Sequence, residues 1–308
     1  VKKYVQVRLG RANVYAEEAL KDGYVGVGWF GNLDLSEKLQ AAETFRHFNR
    51  VMIPIYLESN PNTKKVAAGL FCGFTYTVCK DLQIGDIVLS PRSASLYLIG
   101  RVTSDYEYFP GTHTPHRRRV EWLETRIEKE TFSKPLRNSL GSIGTVSDVS
   151  THALEIERFL SGTTNAASSG IEPEVESVNS FALESHLENF LIENWSSTDF
   201  AKRYDIYQEG GEILGKQYRT DTGRIDILAI SKDGQEFLVI ELKKGKSADG
   251  VVGQVQRYMG DVLEEIAEEG QTVRGVIIAL EDDLGVKRAL SVTSNIDFYR
   301  YRVDFKLI

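Results

Sequence analysis

The chain is poor in sulfur and in proline, with two cysteines, two methionines and seven prolines among 308 residues. Cys72 and Cys79 are too few for a disulfide framework, and their spacing matches no zinc-binding pattern. An intracellular, cytoplasmic protein with reduced thiols is the expectation. No apolar run approaches the roughly 18 residues that a membrane span requires, so no membrane partner is expected. The opening stretch "VKKYVQVRLGR" has no apolar core of the signal-peptide kind. Positive charge is not in excess either, since the net charge is −7. The total conceals an asymmetry: residues 1–160 hold 21 Lys/Arg against 18 Asp/Glu, and the remainder 16 against 26. An acidic domain still contacts DNA where its carboxylates gather around metal ions. Charge alone therefore neither supports nor excludes a nucleic-acid partner.

What is present is ordinary for a folded protein, with 42% hydrophobic and 26% charged residues. The length suits about two domains of roughly 100–200 residues each. One seam is visible, "SGTTNAASSGIEPEVESVNS" at Ser161–Ser180, which is rich in Ser, Gly, Thr and Asn and lacks periodicity. It reads as a linker between an N-terminal domain (1–160) and a C-terminal domain (181–308). In the first, "YVQVRLG" and "YVGVGWF" alternate like strands, and "NVYAEEALKDG" between them fits a short helix stopped at Gly23. "LSEKLQAAETFRHFNRV" fits a second helix, while "LQIGDIVLSP" and "SLYLIGRVTSDYEYF" read as further strands. Short strands with two helices suggest a small, curved β-barrel. In the second domain, "FALESHLENFLIENW" places Leu183, Leu187, Phe190 and Leu191 on one helical stripe. Two strands, a helix, the strand "VRGVIIAL", the helical "LGVKRALS" and a last strand beginning "IDFYRYR" follow. The fold class expected is α/β (α+β), the C-terminal part being a mixed sheet flanked by helices.

The two strands in "GRIDILAISKDGQEFLVIELKK" look like core yet carry Asp226, Glu241 and Lys243. Buried charges are costly unless they are paired or hold a metal. With Asp233–Gly234 as a two-residue hairpin turn, Lys232 faces Gln235, and the same register sets Asp226 opposite Glu241. Their Cβ atoms would then lie roughly 4.5–5.5 Å apart on one face. Lys243, two residues beyond Glu241, projects from that face as well. Facing carboxylates repel unless a cation lies between them, and a hard divalent ion such as Mg²⁺ prefers oxygen ligands. A neighbouring lysine can orient or deprotonate a water for attack on phosphorus. The competing reading makes Glu241 and Lys243 an exposed strand-end pair and Asp226 a turn-proximal charge. The apolar strands and the Gly223-Arg224 pair just before Asp226 weigh against it. On the following helix, Gln254 and Tyr258 are spaced to share one face.

Asp226, the Glu241-Leu242-Lys243 triplet and the Gln254/Tyr258 pair together resemble the PD-(D/E)xK nuclease superfamily. The ordered stretches "GRIDILAI", "FLVIELKKGK", "GQVQRYMG", "VRGVIIA" and "FYRYRVDF" are more closely similar to the C-terminal domain of NucS-type endonucleases, over roughly Phe181 to Ile308. This resemblance implies a restriction-endonuclease-like fold, Asp226 and Glu241 as ligands of Mg²⁺ or Mn²⁺, and Lys243 as the water-activating residue. It also implies an acidic residue on the first helix. Glu184 and Glu188 both match, and Glu184 is preferred. Gln254 and Tyr258 would hold a DNA phosphate or the lysine, and Arg224 is a candidate DNA contact. The proline of the superfamily name is absent, since "TGRID" stands in its place.

The N-terminal half, through "YVQVRLGRANVYAEEALKDGYVGVGWFGNLDLS", "IGDIVLSP", "YLIGRVTSDYEYFPG" and "HRRRVEWL", resembles the N-terminal domain of Mrr-like restriction proteins, and in general shape the PUA/EVE-like barrels that read modified bases. Trp29 and Phe30 either line a pocket around a flipped base or belong to the barrel core. Arg117, Arg118 and Arg119 in "HRRRV" either hold phosphates or form a solvated loop. The expected function is a metal-dependent DNA endonuclease of restriction type, acting as a homodimer. The alternatives are a NucS-like repair nuclease for mismatched, branched or single-stranded DNA, and a non-catalytic nucleic-acid reader.

Overall fold

The computed structural model describes residues 2–141, 144–161, 187–209, 212–246, 250–281 and 284–302. The linker expected at Ser161–Ser180, apart from Ser161, lies outside these residues, as does Glu184. The chain divides into two compact units, Val1–Thr63 with Leu70–Pro173 and Lys64–Gly69 with Glu174–Ile308. Among the described residues no helix is long and apolar enough to cross a membrane.

The first unit contains the strands β1 (Tyr4–Val7), β2 (Tyr24–Val27), β3 (Ile87–Pro91), β4 (Leu96–Val102), β5 (Glu107–Tyr108), β6 (His116–Glu128) and β7 (Val146–Asp148). They form one curled sheet in the order β2-β6-β4-β3-β1-β7, with β5 on the side of β6. Successive side chains point to opposite faces of a strand, and here both faces are covered. Tyr4, Ile87, Leu89, Tyr97 and Ile99 pack with Leu136, Leu140 and Ile156, while Val5, Val7, Val88 and Val102 pack with Val78 and Leu82. The first cluster draws on two helices, α5 (Lys134–Leu140) and α6 (Ala153–Leu160).

The short helix expected to stop at Gly23 is α1 (Ala16–Asp22), which begins three residues later than the stretch "NVYAEEALKDG" and ends as expected, with Gly23 left-handed at its C-cap. The second expected helix is broken into α2 (Ser36–Ala41) and α3 (Phe45–Ser59). Thr44 causes the break: its hydroxyl accepts from the His47 N–H at 3.1 Å and starts a new helix. A helix not expected at all, α4 (Lys65–Tyr76), continues into a π turn at Thr77–Asp81. Its sequence "KVAAGLFCGFTY" is apolar nearly all round, so no amphipathic stripe announces it.

The basic run "HRRRV" is not a loop. It begins β6, and two of its arginines are consumed inside the unit. Arg117 stacks over the Tyr24 ring at 3.7 Å and donates to the Thr114 carbonyl and to Glu18. Arg118 is 3% exposed and donates to the carbonyls of Val78, Leu82 and Ser104, satisfying the end of the π turn. Arg119 is exposed and pairs with Glu107 at 3.0 Å. Trp29 stacks on Phe71 at 5.0 Å and packs against the valine cluster, which favours the core reading. Phe30 is left-handed at φ 63° and meets Tyr56 edge-on.

That conformation is costly for a bulky residue, and His116 secures it. Its Nε2 lies 3.2 Å from the Phe30 carbonyl and its Nδ1 lies 2.8 Å from the Tyr106 hydroxyl. The Tyr106 hydroxyl also accepts from the Leu35 N–H. A neutral ring fits this arrangement, with Nε2 donating to the Phe30 carbonyl and Nδ1 accepting from the Tyr106 hydroxyl. Burial pushes the imidazole down to about 4, against partial opposition from the Phe30 and Trp29 carbonyls and Asp34. The unfolded chain therefore takes up the proton first. Stability present above about pH 6.5 is lost as pH falls toward 4, by about 3 kcal/mol. Urea unfolding followed between about pH 7 and pH 4.5 should show this extra loss in the wild type. His116→Gln should be less stable near neutrality but should lack that part of the pH dependence.

In the second unit, helix α7 (residues 187–193) precedes β8 (Tyr204–Ile206), the small hairpin of β9 (Gln208–Glu209) and β10 (Glu212–Ile213), and β11 (Lys216–Arg219). Then come β12 (Arg224–Ser231), β13 (Glu236–Lys246), α8 (Gly250–Glu265), β14 (Thr272–Glu281), α9 (Leu284–Leu290) and β15 (Ile296–Arg300). The sheet order is β11-β12-β13-β14-β15, with β8 also on β12. β12 is antiparallel to β11 and β13, whereas β13, β14 and β15 run parallel. This is the mixed sheet expected, with β8 and β11 as additions. One face buries Ile227, Ala229, Leu238, Ile240 and Leu242 with Trp195, Leu187 and Leu191. α8 packs over β13 and β14, admitted by Gly275: a Cβ there would stand 2.6 Å from Val255 and 2.8 Å from the Met259 sulfur.

Candidate active site

The β12–β13 hairpin supplies three of the site residues. Its connection is the four-residue loop Lys232–Gln235 rather than a two-residue turn, held by the Ser231 hydroxyl, which accepts from Gln235 and Glu236 N–H and donates to Asp233. Because the longer loop is symmetric about the same centre, the register is unchanged. Ile227 pairs with Ile240, Leu228 with Val239, and Ile230 with Phe237. The next step along this register sets Asp226 against Glu241. There the backbone ladder opens, and the Asp226 carboxylate accepts the Leu242 N–H through Oδ2 at 2.7 Å. Asp226, Glu241 and Lys243 alternate with Ile227, Ile240 and Leu242, so they leave the sheet on the face opposite the Trp195 cluster. Glu241 is 3% exposed, and Lys243 Nζ donates to its Oε1 at 2.7 Å. A register shift in β13–β14 falls between Lys243 and Lys246. Such irregularities redirect side chains at strand ends.

α7 contributes Glu188, the alternative to Glu184. It is 6% exposed, its Oε1 accepts no hydrogen bond among the described residues, and burial pushes its carboxyl up to about 7. The Asp226 charge adds to the rise, while Lys216 and a hydrogen bond from Gln217 oppose it. Helical spacing alone cannot choose between Glu184 and Glu188, four residues apart on one stripe. Packing puts Glu188 beside Asp226. Gln217 went unnoticed in the sequence: it lies in β11 opposite Asp226 and donates to Asp226 Oδ1 at 3.1 Å.

α8 holds the turn before Asp226. Gln254 Nε2 donates to the Tyr258 hydroxyl at 3.0 Å, so the pair expected to contact phosphate or lysine is bonded to itself. The buried Tyr258 ring lies against Gly223, and buried Asp261, also unremarked in the sequence, accepts from the Thr222 hydroxyl at 2.6 Å. Arg224 is half-buried in β12, opposite Arg219.

Among the described residues no group of three or more His, Cys, Asp or Glu side chains forms a ready metal cage. Mg²⁺ does not require one, because it is commonly held by one or two carboxylates, its own waters and substrate phosphates. The all-oxygen donor set and the orphaned, buried Glu188 oxygen fit a hard divalent cation. One acidic side chain on a strand, Glu-x-Lys on its neighbour and a glutamate from a helix make an arrangement suited to phosphodiester hydrolysis.

Residues 184–301 match the family described as Endonuclease NucS C-terminal domain, and residues 6–149 match a domain of unknown function (DUF8426). Endonuclease NucS of Pyrococcus horikoshii is 31% identical over 121 residues, which cover 38% of this chain and 46% of that protein. Endonuclease NucS of Pyrococcus abyssi is 31% identical over 85 residues, 28% of this chain and 32% of that protein. The chain thus spans less than half the length of these curated relatives. A solved EndoMS–dsDNA complex is 17% identical with a TM-score of 0.33, covering 71% of this chain and 66% of that one. At that distance the fold rests on the strand order and register above.

The contact between α8 and the turn is directly testable. A Cβ at Gly223, where φ is 155°, would lie 2.5 Å from the Tyr258 hydroxyl. Gly223→Ala should destabilise the protein by about 1–3 kcal/mol in chemical denaturation. Tyr258→Phe in the same chain should recover part of the loss.

Proposed function

We propose that the chain is a metal-dependent DNA endonuclease of NucS-like, repair type, acting on mismatched, branched or single-stranded DNA. The observation that carries this reading is the convergence of Asp226, Glu241 and the Lys243 ammonium at one point of the β12–β13 hairpin, with Glu188 buried beside Asp226. The similarity of residues 184–301 to the NucS C-terminal domain supports the reading and places it ahead of the restriction-type alternative. For the N-terminal unit, the match to a domain of unknown function adds no support to an Mrr-like or base-reading role.

Asp226, Glu241 and Glu188 would hold Mg²⁺ or Mn²⁺. When bound, the ion supplies Lewis-acid polarisation of a phosphoryl oxygen and stabilises the charge that develops on it. Lys243, anchored on Glu241, orients the attacking water toward phosphorus. Water's oxygen forms the new P–O bond as the bond to the leaving sugar oxygen breaks. The buried Glu241 holds the lysine in place without closing the site to water, since Lys243 remains 29% exposed. Cutting both strands would take two such sites, so a homodimer is the proposed working form.

The test is cleavage of a panel of mismatched, flapped, single-stranded and perfectly paired DNAs with Mg²⁺ or Mn²⁺. Structured or mismatched DNA should be cut first, and Lys243→Ala should lower the rate by roughly 100- to 10,000-fold while remaining folded. Cleavage confined to DNA with modified bases would restore the restriction reading. Binding of the panel without any cleavage would point to a non-catalytic reader.

A further inference from the structure

Gln217 has an unusual backbone for a strand residue. It is at φ 49°, in the left-handed region, although it sits within β11. The ladder to β12 steps over it: Lys216 pairs with Ile227 and Tyr218 with Ile225. A non-glycine residue in this region costs roughly 1–2 kcal/mol, so its surroundings must hold it there. The side chain shows what does. Nε2 donates to Asp226 Oδ1 at 3.1 Å, and the same side chain is close enough to the buried Glu188 to favour its ionised form. One amide therefore serves two carboxylates that would otherwise repel.

We infer that Gln217 is a positioning residue of the metal site, keeping Asp226 and Glu188 converged when no cation is present. The inference rests on the reading above, that these carboxylates hold a divalent ion. The residue type suits the task. One amide nitrogen carries two N–H donors, enough for two carboxylates. Being neutral, it adds no positive charge to compete with an incoming cation, as a lysine would. The nearby Lys216 ammonium is directed to Asn189 Oδ1 at 2.6 Å. Partners that orient metal ligands in this way typically contribute roughly 10- to 100-fold in metal affinity.

Gln217→Gly is the informative variant, because glycine accepts the left-handed backbone while the side chain that carries the amide is removed. Mn²⁺ binding to the full chain would be measured by calorimetry and by electron paramagnetic resonance, beside wild type and Asp226→Asn. The expected result is Mn²⁺ affinity weakened roughly 10- to 100-fold with the melting temperature of the metal-free protein maintained. DNA cleavage should recover at saturating Mn²⁺ in Gln217→Gly but not in Lys243→Ala. Unchanged or tighter Mn²⁺ binding in Gln217→Gly would overturn the inference while leaving the metal site intact, and so would a melting temperature that falls with affinity unmoved. Equal Mn²⁺ binding by wild type and Asp226→Asn would overturn the metal reading itself, and the role of Gln217 with it.

Discussion

The register of the β12–β13 hairpin is the constraint on which the second unit depends. Side chains alternate with a period of two, so a slip of one residue would carry Glu241 and Lys243 to the face of the Trp195 cluster. Two local features prevent that. The Ser231 hydroxyl and Asp233 close a loop that is symmetric about the hairpin axis. At the other end, the Asp226 carboxylate takes over from a backbone carbonyl as acceptor for the Leu242 N–H. A side chain thus completes the ladder at the point where the strands part, and the site opens there.

Gathering acidic groups at such a point is electrostatically unfavourable, and the surrounding interactions offset the cost in different ways. Lys243 neutralises Glu241 directly. Glu188, buried near Asp226, has lost so much hydration that its carboxyl titrates near neutrality. The turn that delivers Asp226 is pinned from α8 by the Tyr258 ring on Gly223 and by Asp261 on Thr222. α8 reaches that position because Gly275 presents no side chain to Val255 and Met259. Sheet, helix and turn are thereby coupled through close contacts that would each be disturbed by a single added carbon.

The first unit uses charge in the opposite way. Arg117 and Arg118 are buried, one against the Tyr24 ring and the other on the carbonyls of a π turn, and they act as internal cross-links. His116 is held neutral beneath Phe30. A cluster of basic letters in the sequence therefore became part of a core, because arginine's planar fork can satisfy several backbone carbonyls at once.

Much of the site was legible in the chain itself. Charges interrupting apolar strands, a turn signal between them and an ordered set of motifs located Asp226, Glu241 and Lys243, and the hairpin centre predicted their register even though the loop is longer than expected. The strands β1 to β4 and β12 to β15, with α8, followed from apolar patterning and helical periodicity, whereas β6 to β11 did not. What periodicity could not supply was the burial of Glu188 near Asp226, the amide of Gln217 on Asp226, or the burial of Arg117 and Arg118. Each depends on which elements pack together across long sequence separations, and local pattern carries no record of that. The sequence by itself determined the alternation of faces and which strand positions carry the charges proposed for the site. Tertiary structure decided which of them meet, because only packing removes water and makes the position of each charge matter.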